Sequence, residues 1–305
     1  MKDVSSMQIN DVALNEEKDN GFSSSELNAN LSNPQTLLVD GKSNCNNAFC
    51  GVRDQESSFY FPVNGTLDLT SEQSPIPDVS VIIPAYREEK TISEVLQRVI
   101  KVNGSLGNIE IIVVDDGSTD RTGEKVAAFP SVKYIRHEHN MGKGAAIRTG
   151  IKNSSGRIVV IQDADLEYLP DCIPSLVKPI SAGEMDIVYG SRFNGKPEGM
   201  SFSHFVGNFL LSLATRFMYN VQITDIMTGQ KAFRRSVLDS FELKENGFGV
   251  EVELTCLGFN GDRRFGEVPI PYSYRKHGVS KIAYSDGFKS LAKLFTLFLG
   301  TNNSS

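Results

Sequence analysis

The sequence predicts an α/β fold, a mostly parallel central sheet flanked by helices, and three observations carry that expectation. From residue 79 to residue 189, short β-branched runs alternate with stretches of helical apolar period, joined by a few residues each. That is the pattern of successive strand–helix–strand units with right-handed crossovers. The run Ile158 to Ile161 is continuously apolar, as suits a strand covered on both faces. Two carboxylates, Asp163 and Asp165, follow it at once, and the C-terminal ends of strands are where open α/β sheets place their ligands.

Taken in order, residues 1–75 are rich in Ser, Asn, Asp and Glu and sustain neither a strand nor a helix period. They are expected to form a disordered tail, with Phe59 to Val63 a short segment able to dock, and residues 76–300 to form the folded domain. A strand is expected at Val79 to Ile83, stopped by Pro84, then a helix at Lys90 to Lys101 with Ile92, Val95, Leu96 and Val99 on one face. A strand at Ile109 to Val114, a helix around Arg121 to Ala128, a strand at Val132 to Arg136 and a helix at Gly144 to Lys152 come next. After the run at 158–161, a helix is read over Asp171 to Ile180 and a strand at Asp186 to Tyr189. Beyond Gly190 the rhythm loosens into an apolar helix at Phe205 to Val221, a helix at Phe248 to Gly258, a strand at Phe265 to Ile270 and an amphipathic helix at Asp286 to Leu299.

Composition narrows the function. The formal net charge of the 305-residue chain is −6, and residues 1–75 alone carry 4 Lys/Arg against 11 Asp/Glu. The remainder is close to neutral and offers no electrostatic footprint for nucleic acid. Cys45, Cys50, Cys172 and Cys256 are scattered without zinc spacing, so reduced thiols are expected. The start, Met-Lys-Asp-Val-Ser-Ser, lacks the apolar core of a signal peptide, and no apolar stretch is long enough to span a membrane. A cytoplasmic protein is expected, in solution or at the cytoplasmic face of a membrane.

The acid pair has two readings. Two carboxylates this close repel unless they share a cation, and hard oxygen ligands favour Mg²⁺ or Mn²⁺ with substrate phosphates completing the shell; a nucleoside diphosphate is then the natural partner. The other reading is a pair of solvated loop acids. Three common nucleotide folds are excluded. The residues after the first strand, Pro84-Ala85-Tyr86-Arg87-Glu88, are neither the G-x-G-x-x-G of a dinucleotide fold nor the glycine-rich, arginine-bearing loop of a sugar nucleotidyltransferase. No P-loop occurs elsewhere.

The punctuation after each strand resembles the family 2 glycosyltransferases with the GT-A fold, and most closely their polyprenol-phosphate branch, which holds the dolichol-phosphate mannose synthases and their bacterial relatives. The segments that carry the resemblance are Val81-Ile-Ile-Pro-Ala-Tyr-Arg-Glu-Glu89, Val113-Val-Asp-Asp-Gly-Ser-Thr-Asp120, Asn140-Met-Gly-Lys-Gly-Ala-Ala146, Gln162-Asp-Ala-Asp-Leu-Glu-Tyr168 and Gly190-Ser-Arg192. Asp225-Ile-Met-Thr-Gly229, Gly247-Phe-Gly-Val-Glu-Val-Glu253 and Arg275-Lys-His-Gly-Val-Ser-Lys281 come after them. The resemblance implies a transferase that inverts the sugar carbon of a nucleoside-diphosphate sugar. It places the donor on Pro84, Tyr86, Glu88, Asp115, Asp116, Lys143, Gly144, Asp163, Ala164 and Asp165, with the metal on Asp163 and Asp165, and Glu167 as a candidate third ligand. Asp115-Asp116-Gly117-Ser118 also reads as a turn and helix cap. Asn140 to Gly144 reads either as an anion-binding loop at a helix N-terminus or as a plain loop. Arg192 is implied to hold the phosphate of an acceptor lipid, its other reading being a strand-end salt bridge. Two further phosphate contacts of the mannose synthases fall on His204 and Asn208, where this chain departs from the family. Arg275, Ser280 and Lys281 lie on a loop expected to fold over the donor diphosphate, or to be a solvated basic turn.

The acceptor decides the catalytic group. A polyprenyl phosphate is anionic and needs no base; a sugar or glycerate hydroxyl does, with Glu251 or Glu253 as candidate. These two lie two residues apart on one helix, so only one is expected to face the site and the other to be a surface or cap residue. Residues 205–221 and 286–299 are candidate membrane-seating helices, or helices packed on the core or in a dimer. A sugar-nucleotide-binding protein without turnover is the reading of another class.

Overall fold

The computed structural model describes residues 77–193, 197–198, 202–273 and 284–302. The expected tail and the loop bearing Arg275, Ser280 and Lys281 lie outside the described residues. The elements run β1 (Val79–Ala85), α1 (Ile92–Val102), β2 (Ile109–Asp115), α2 (Thr122–Ala127), β3 (Val132–Arg136), α3 (Lys143–Lys152), β4 (Ile158–Gln162), α4 (Ile173–Ser181) and β5 (Ile187–Ser191). Then come β6 (Pro197–Glu198), α5 (Phe202–Tyr219), β7 (Gln230–Arg234), α6 (Arg235–Leu238), α7 (Val250–Gly258), β8 (Phe265–Pro269), β9 (Tyr272–Ser273) and α8 (Tyr284–Asn302).

Seven strands form the central sheet in the order β3-β2-β1-β4-β7-β5-β8. The pairs β1–β2, β1–β4, β2–β3 and β5–β8 are parallel, and β7 runs antiparallel between β4 and β5. The mostly parallel sheet is borne out, with one strand the sequence did not announce. Gln230-Lys231-Ala232-Phe233-Arg234 has no apolar run, yet Gln230 and Lys231 are wholly buried in it. Helix and strand limits otherwise fall within a few residues of expectation. Pro84 does not stop β1: it pairs with Val114 of β2, and β1 continues to Ala85. Its pairing with β4 ends at Ile82, so beyond that point one side of β1 is an edge, and an edge tolerates a residue with no N–H.

Alternation along β1 divides the core. Val81 and Ile83 pack with Ile92, Val95, Leu96 and Val99 of α1 and with α4 on one face. Ile82 packs on the other face with Ile147 of α3, Phe233 of β7 and the apolar residues of α7, as the two-residue period of a strand requires.

Two ion pairs on one carboxylate pin the far edge. Asp186, just before β5, receives Nε and Nη2 of Arg264 at 3.0 and 2.9 Å and Nε of Arg234 at 3.1 Å. Arg264 above all holds this carboxyl well below the usual carboxylate range, against the opposing effect of its burial. A folded-state pKa below the unfolded one stabilises the protein above roughly pH 4, and that stability is lost as the pH falls below it. Asp186→Asn is expected to cost about 1 kcal/mol at pH 7, a figure held down by the exposure of Arg264. The difference from wild type should shrink below pH 4. Urea denaturation at pH 7 and pH 3.5 checks this, and an equal deficit at both would sink it.

Candidate active site

β4 ends at Gln162, whose side-chain amide staples the turn that comes next. Its Nε2 donates to the carbonyls of Asp163 and Tyr168 at 2.9 and 3.0 Å, and its oxygen accepts from Gln230 at 2.6 Å. Leu166 takes a left-handed conformation with φ 63°, and Glu167 N–H donates to Asp165 Oδ1 at 3.0 Å. Asp163, Asp165 and Glu167 thereby share one short loop, with Ala164 buried between the first two.

Asp163 is met by Lys143, the first residue of α3, at 2.6 Å on Oδ1. Its other oxygen lies so close to Gly229 that a Cβ there would stand 2.0 Å away, so any larger residue displaces the acid. Lys143 also contacts Glu251 Oε1 of α7 at 2.8 Å, and the other oxygen of Glu251 receives Lys231 of β7. Lys231 is wholly buried, donates to the Thr228 carbonyl and sits 4.8 Å over the Tyr189 ring. Two acids and two lysines, from α3, β7, α7 and the loop after β4, thus form one buried cluster, of which the sequence signalled Lys143, Asp163 and Glu251 but not Lys231.

Burial works against the Lys143 ammonium, but Asp163 and Glu251 outweigh it and raise its pKa. Burial also opposes the Glu251 carboxylate, and Lys143 and Lys231 outweigh that and lower its pKa. Asp163 is pushed up to about 6, by burial first and by the charges of Asp165 and Glu251, in spite of Lys143. The loop therefore holds more buried negative charge than its lysine balances. That excess, on carboxylate oxygens alone, fits a hard divalent cation. Among the described residues no three His, Cys, Asp or Glu side chains gather to cage a metal by themselves.

The second constellation stands at the end of β2. Asp115 accepts Ser118 N–H at 2.8 Å and Tyr134 O–H at 2.6 Å. Asp116 accepts Met141 N–H at 2.8 Å and Gly142 N–H at 2.7 Å, with His137 Nδ1 at 2.8 Å. At the start of α3, Gly144 and Ala145 donate their N–H groups to the Asn246 carbonyl at 2.7 and 3.3 Å. The anion-loop reading of Asn140 to Gly144 is therefore corrected in one respect. The backbone donors do take a carboxylate, but it is the chain's own Asp116, and the next two donors take a carbonyl. Tyr86 lies nearby on the chain, half-buried, with the Arg87 guanidinium 5.1 Å from its ring. Glu88 is buried, its N–H on Thr122 Oγ1 at 2.9 Å and its carboxylate accepting from Thr91 at 3.0 Å.

Arg192 closes β5. It is 8% exposed and makes a two-pronged pair with Asp225, Nε to Oδ2 at 2.6 Å and Nη2 to Oδ1 at 2.7 Å. Asn208 of α5 donates to the same Asp225 at 2.6 Å. The rings of Tyr168 and Tyr272 lie 5.5 Å from the guanidinium, and Tyr272 O–H reaches Glu167 at 3.2 Å. The salt-bridge reading of Arg192 is thus present in the structure, and Arg192 and Asn208 come together through an aspartate to which the sequence pattern gave no role. The side chain of His204 lies outside the described residues.

Of the two glutamates on α7, Glu251 joins the lysine cluster. Glu253 is not the surface or cap residue expected of one of them: it is 2% exposed and accepts the N–H groups of Lys244 and Glu245 at 3.0 and 2.8 Å. α5 and α8 turn Leu211 and Leu294 inward and leave Phe209, Leu210, Phe217, Phe295 and Leu299 exposed, Phe217 to 81%. No described helix is long and apolar enough to cross a membrane.

Residues 80–241 match the family model of glycosyl transferase family 2. The chain is 34% identical over 226 residues to dolichol-phosphate mannosyltransferase of Pyrococcus furiosus, covering 72% of this chain and 63% of that protein, so less than two thirds of the relative's length is spanned. It is 30% identical to UDP-N-acetylglucosamine–dolichyl-phosphate N-acetylglucosaminyltransferase of Methanococcus voltae, covering 73% of this chain and 96% of that one. Among solved structures, glucosyl-3-phosphoglycerate synthase from Mycobacterium tuberculosis, in complex with Mn²⁺, UDP-glucose and phosphoglyceric acid, is similar at a TM-score of 0.58 and 25% identity, over 73% of this chain and 80% of that one.

Proposed function

The chain belongs to glycosyl transferase family 2, a GT-A glycosyltransferase, and from that premise we propose that it moves a sugar from a nucleoside-diphosphate donor onto a polyprenyl phosphate. The observation that carries the choice of acceptor is that both candidate bases are engaged. Glu251 is held by two lysines and Glu253 by two backbone N–H groups. A hydroxyl nucleophile needs a carboxylate able to take its proton, whereas a phosphate oxygen is already anionic. The lipid-phosphate names of the relatives point the same way.

In this reading Tyr86, Glu88, Asp115 and Asp116 line the nucleoside end of the donor, and Lys143 and Gly144 the diphosphate end. Asp165 with Asp163 would hold Mg²⁺ or Mn²⁺, which supplies charge stabilisation to the departing diphosphate. Arg192, its Nε and Nη2 held by Asp225 and Asp225 in turn by Asn208, is the fixed cation that meets the acceptor phosphate, through guanidinium N–H groups other than those on Asp225. The exposed faces of α5 and α8 seat the protein on the bilayer that carries the acceptor.

The test is transfer from a panel of sugar nucleotides, with Mn²⁺, to polyprenyl phosphate in detergent and separately to 3-phosphoglycerate. Transfer to the lipid alone is expected. Transfer to 3-phosphoglycerate with none to the lipid overturns the acceptor, and nucleotide binding without turnover in either assay overturns the activity.

A further inference from the structure

Glu253 faces away from the task a catalytic base would have, and what it does hold leads back to the donor site. Residues 244–247 form a strap laid across the start of α3. At one end Glu253 Oε2 accepts the N–H groups of Lys244 and Glu245. Along the strap, the Asn246 carbonyl takes the N–H groups of Gly144 and Ala145, and the Glu245 carbonyl takes Arg148 Nη1 at 2.6 Å. The fit leaves no slack: a Cβ on Gly142 would stand 2.3 Å from the Asn246 carbonyl oxygen, and one on Gly144 2.2 Å from that of Glu245. Lys143 lies between these two glycines. Its backbone is clasped between Asp116 on one side and the strap on the other, and its ammonium reaches Asp163. Among the described residues the cation facing Glu253 is Lys293 of α8, 3.8 Å from Oε1 and 3.3 Å from Glu245 Oε2.

We infer that Glu253 is a positioning residue for the donor, holding the 244–247 strap against the glycine loop and so fixing where Lys143 meets the diphosphate. The inference rests on the reading that Lys143 and Gly144 receive the donor. One carboxylate oxygen accepting two adjacent N–H groups fixes both the height and the tilt of the strap. A shift of the strap is passed on to Lys143 directly, because neither flanking glycine has a side chain to absorb it. Small displacements of such a group weaken binding and alignment well out of proportion to their size.

Glu253→Ala and Glu253→Gln separate this role from the two others the residue could have. Nucleotide affinity is read by calorimetric titration with UDP and with GDP in the presence of Mn²⁺, and transfer kinetics with the donor identified in the panel. Glu253→Ala is expected to weaken the nucleotide by roughly tenfold and to raise the donor KM more than it lowers kcat. Glu253→Gln keeps an oxygen for both N–H groups and should stay within about threefold on each measure. A Gln variant that loses roughly 100-fold or more in kcat with its nucleotide affinity intact makes Glu253 a base and overturns the inference. An Ala variant with wild-type affinity and KM per folded molecule overturns it as well, leaving only a structural role. Should the Ala variant fail to fold, Glu253→Asp, which draws the same carboxylate back by one methylene, replaces it. Weakened nucleotide and raised donor KM then support the inference, and wild-type values of both overturn it. A wild-type protein that binds neither nucleotide nor any sugar nucleotide overturns the donor reading and this inference together, whereas wild-type binding with an unaffected Ala variant overturns this inference alone.

Discussion

Replacing Asp165 with alanine is expected to lower kcat by about 100-fold or more, the loss typical when the main charge stabilisation of a departing anion is removed. Asp163→Ala should do the same or somewhat less, since Asp163 is shared with Lys143. Folding stability should change little in Asp165→Ala, because two effects oppose each other. The Glu167 N–H loses its acceptor, at about 1 kcal/mol. The repulsion that helps to raise the Asp163 pKa is relieved at the same time. Steady-state kinetics with Mn²⁺, set beside thermal melting in EDTA, measures both halves. Wild-type activity that survives exhaustive EDTA treatment would take the metal out of the mechanism.

The largest stability effect is expected at Asp225, which touches no reacting group in the proposed reaction. It is wholly buried and is the carboxylate that pairs with Arg192 among the described residues, with Asn208 on the same oxygen as Arg192 Nη2. Burial opposes both charges, yet Arg192 lowers the Asp225 pKa and Asp225 raises that of Arg192. Removing one member of such a pair leaves the other buried and uncompensated, so Asp225→Ala should cost about 3–5 kcal/mol. For a domain of this size that is a fall in melting temperature of roughly 10 °C. Asp225→Asn, which keeps an acceptor but no charge, should fall between. A loss below about 1 kcal/mol for Asp225→Ala would mean that Arg192 finds other partners or water, and would remove the premise that Asp225 aims it.

How much of the molecule was legible in the sequence depends on how local each signal is. The strands from β1 to β5 and the helices between them announce themselves because their apolar periods lie within single segments. β7 does not, because two of its five residues are the buried polar Gln230 and Lys231. Their partners, Gln162 and Glu251, come from distant parts of the chain, and no local pattern foretells them. The acids of the β4 loop were readable from their position after an apolar run. What they bind inside the protein was not, since Lys143 and Gly229 converge on Asp163 from separate elements. The glycine loop shows the boundary most sharply. Its composition reads either as an anion-binding loop or as a plain loop, and cannot say that two of its backbone N–H groups are taken by Asp116, already in the chain.

The antiparallel strand also bears on how the molecule is put together. The segment β4–α4–β5 has the sequence character of a simple crossover unit, whose strands ordinarily lie side by side. Here they end one strand apart, roughly 9.5 Å, and the gap is filled by residues that leave the ribosome only after α5. Until Arg234 has been made, β4 and β5 both keep open edges toward each other, Glu251 has not been synthesised and Lys143 has only Asp163 to pair with. Pairings of such long sequence separation are the slow ones. The middle of the sheet is therefore closed after the strands on either side of it have been made, with β8 added at the edge later still, and the charge cluster waits for Glu251, which is made between the two.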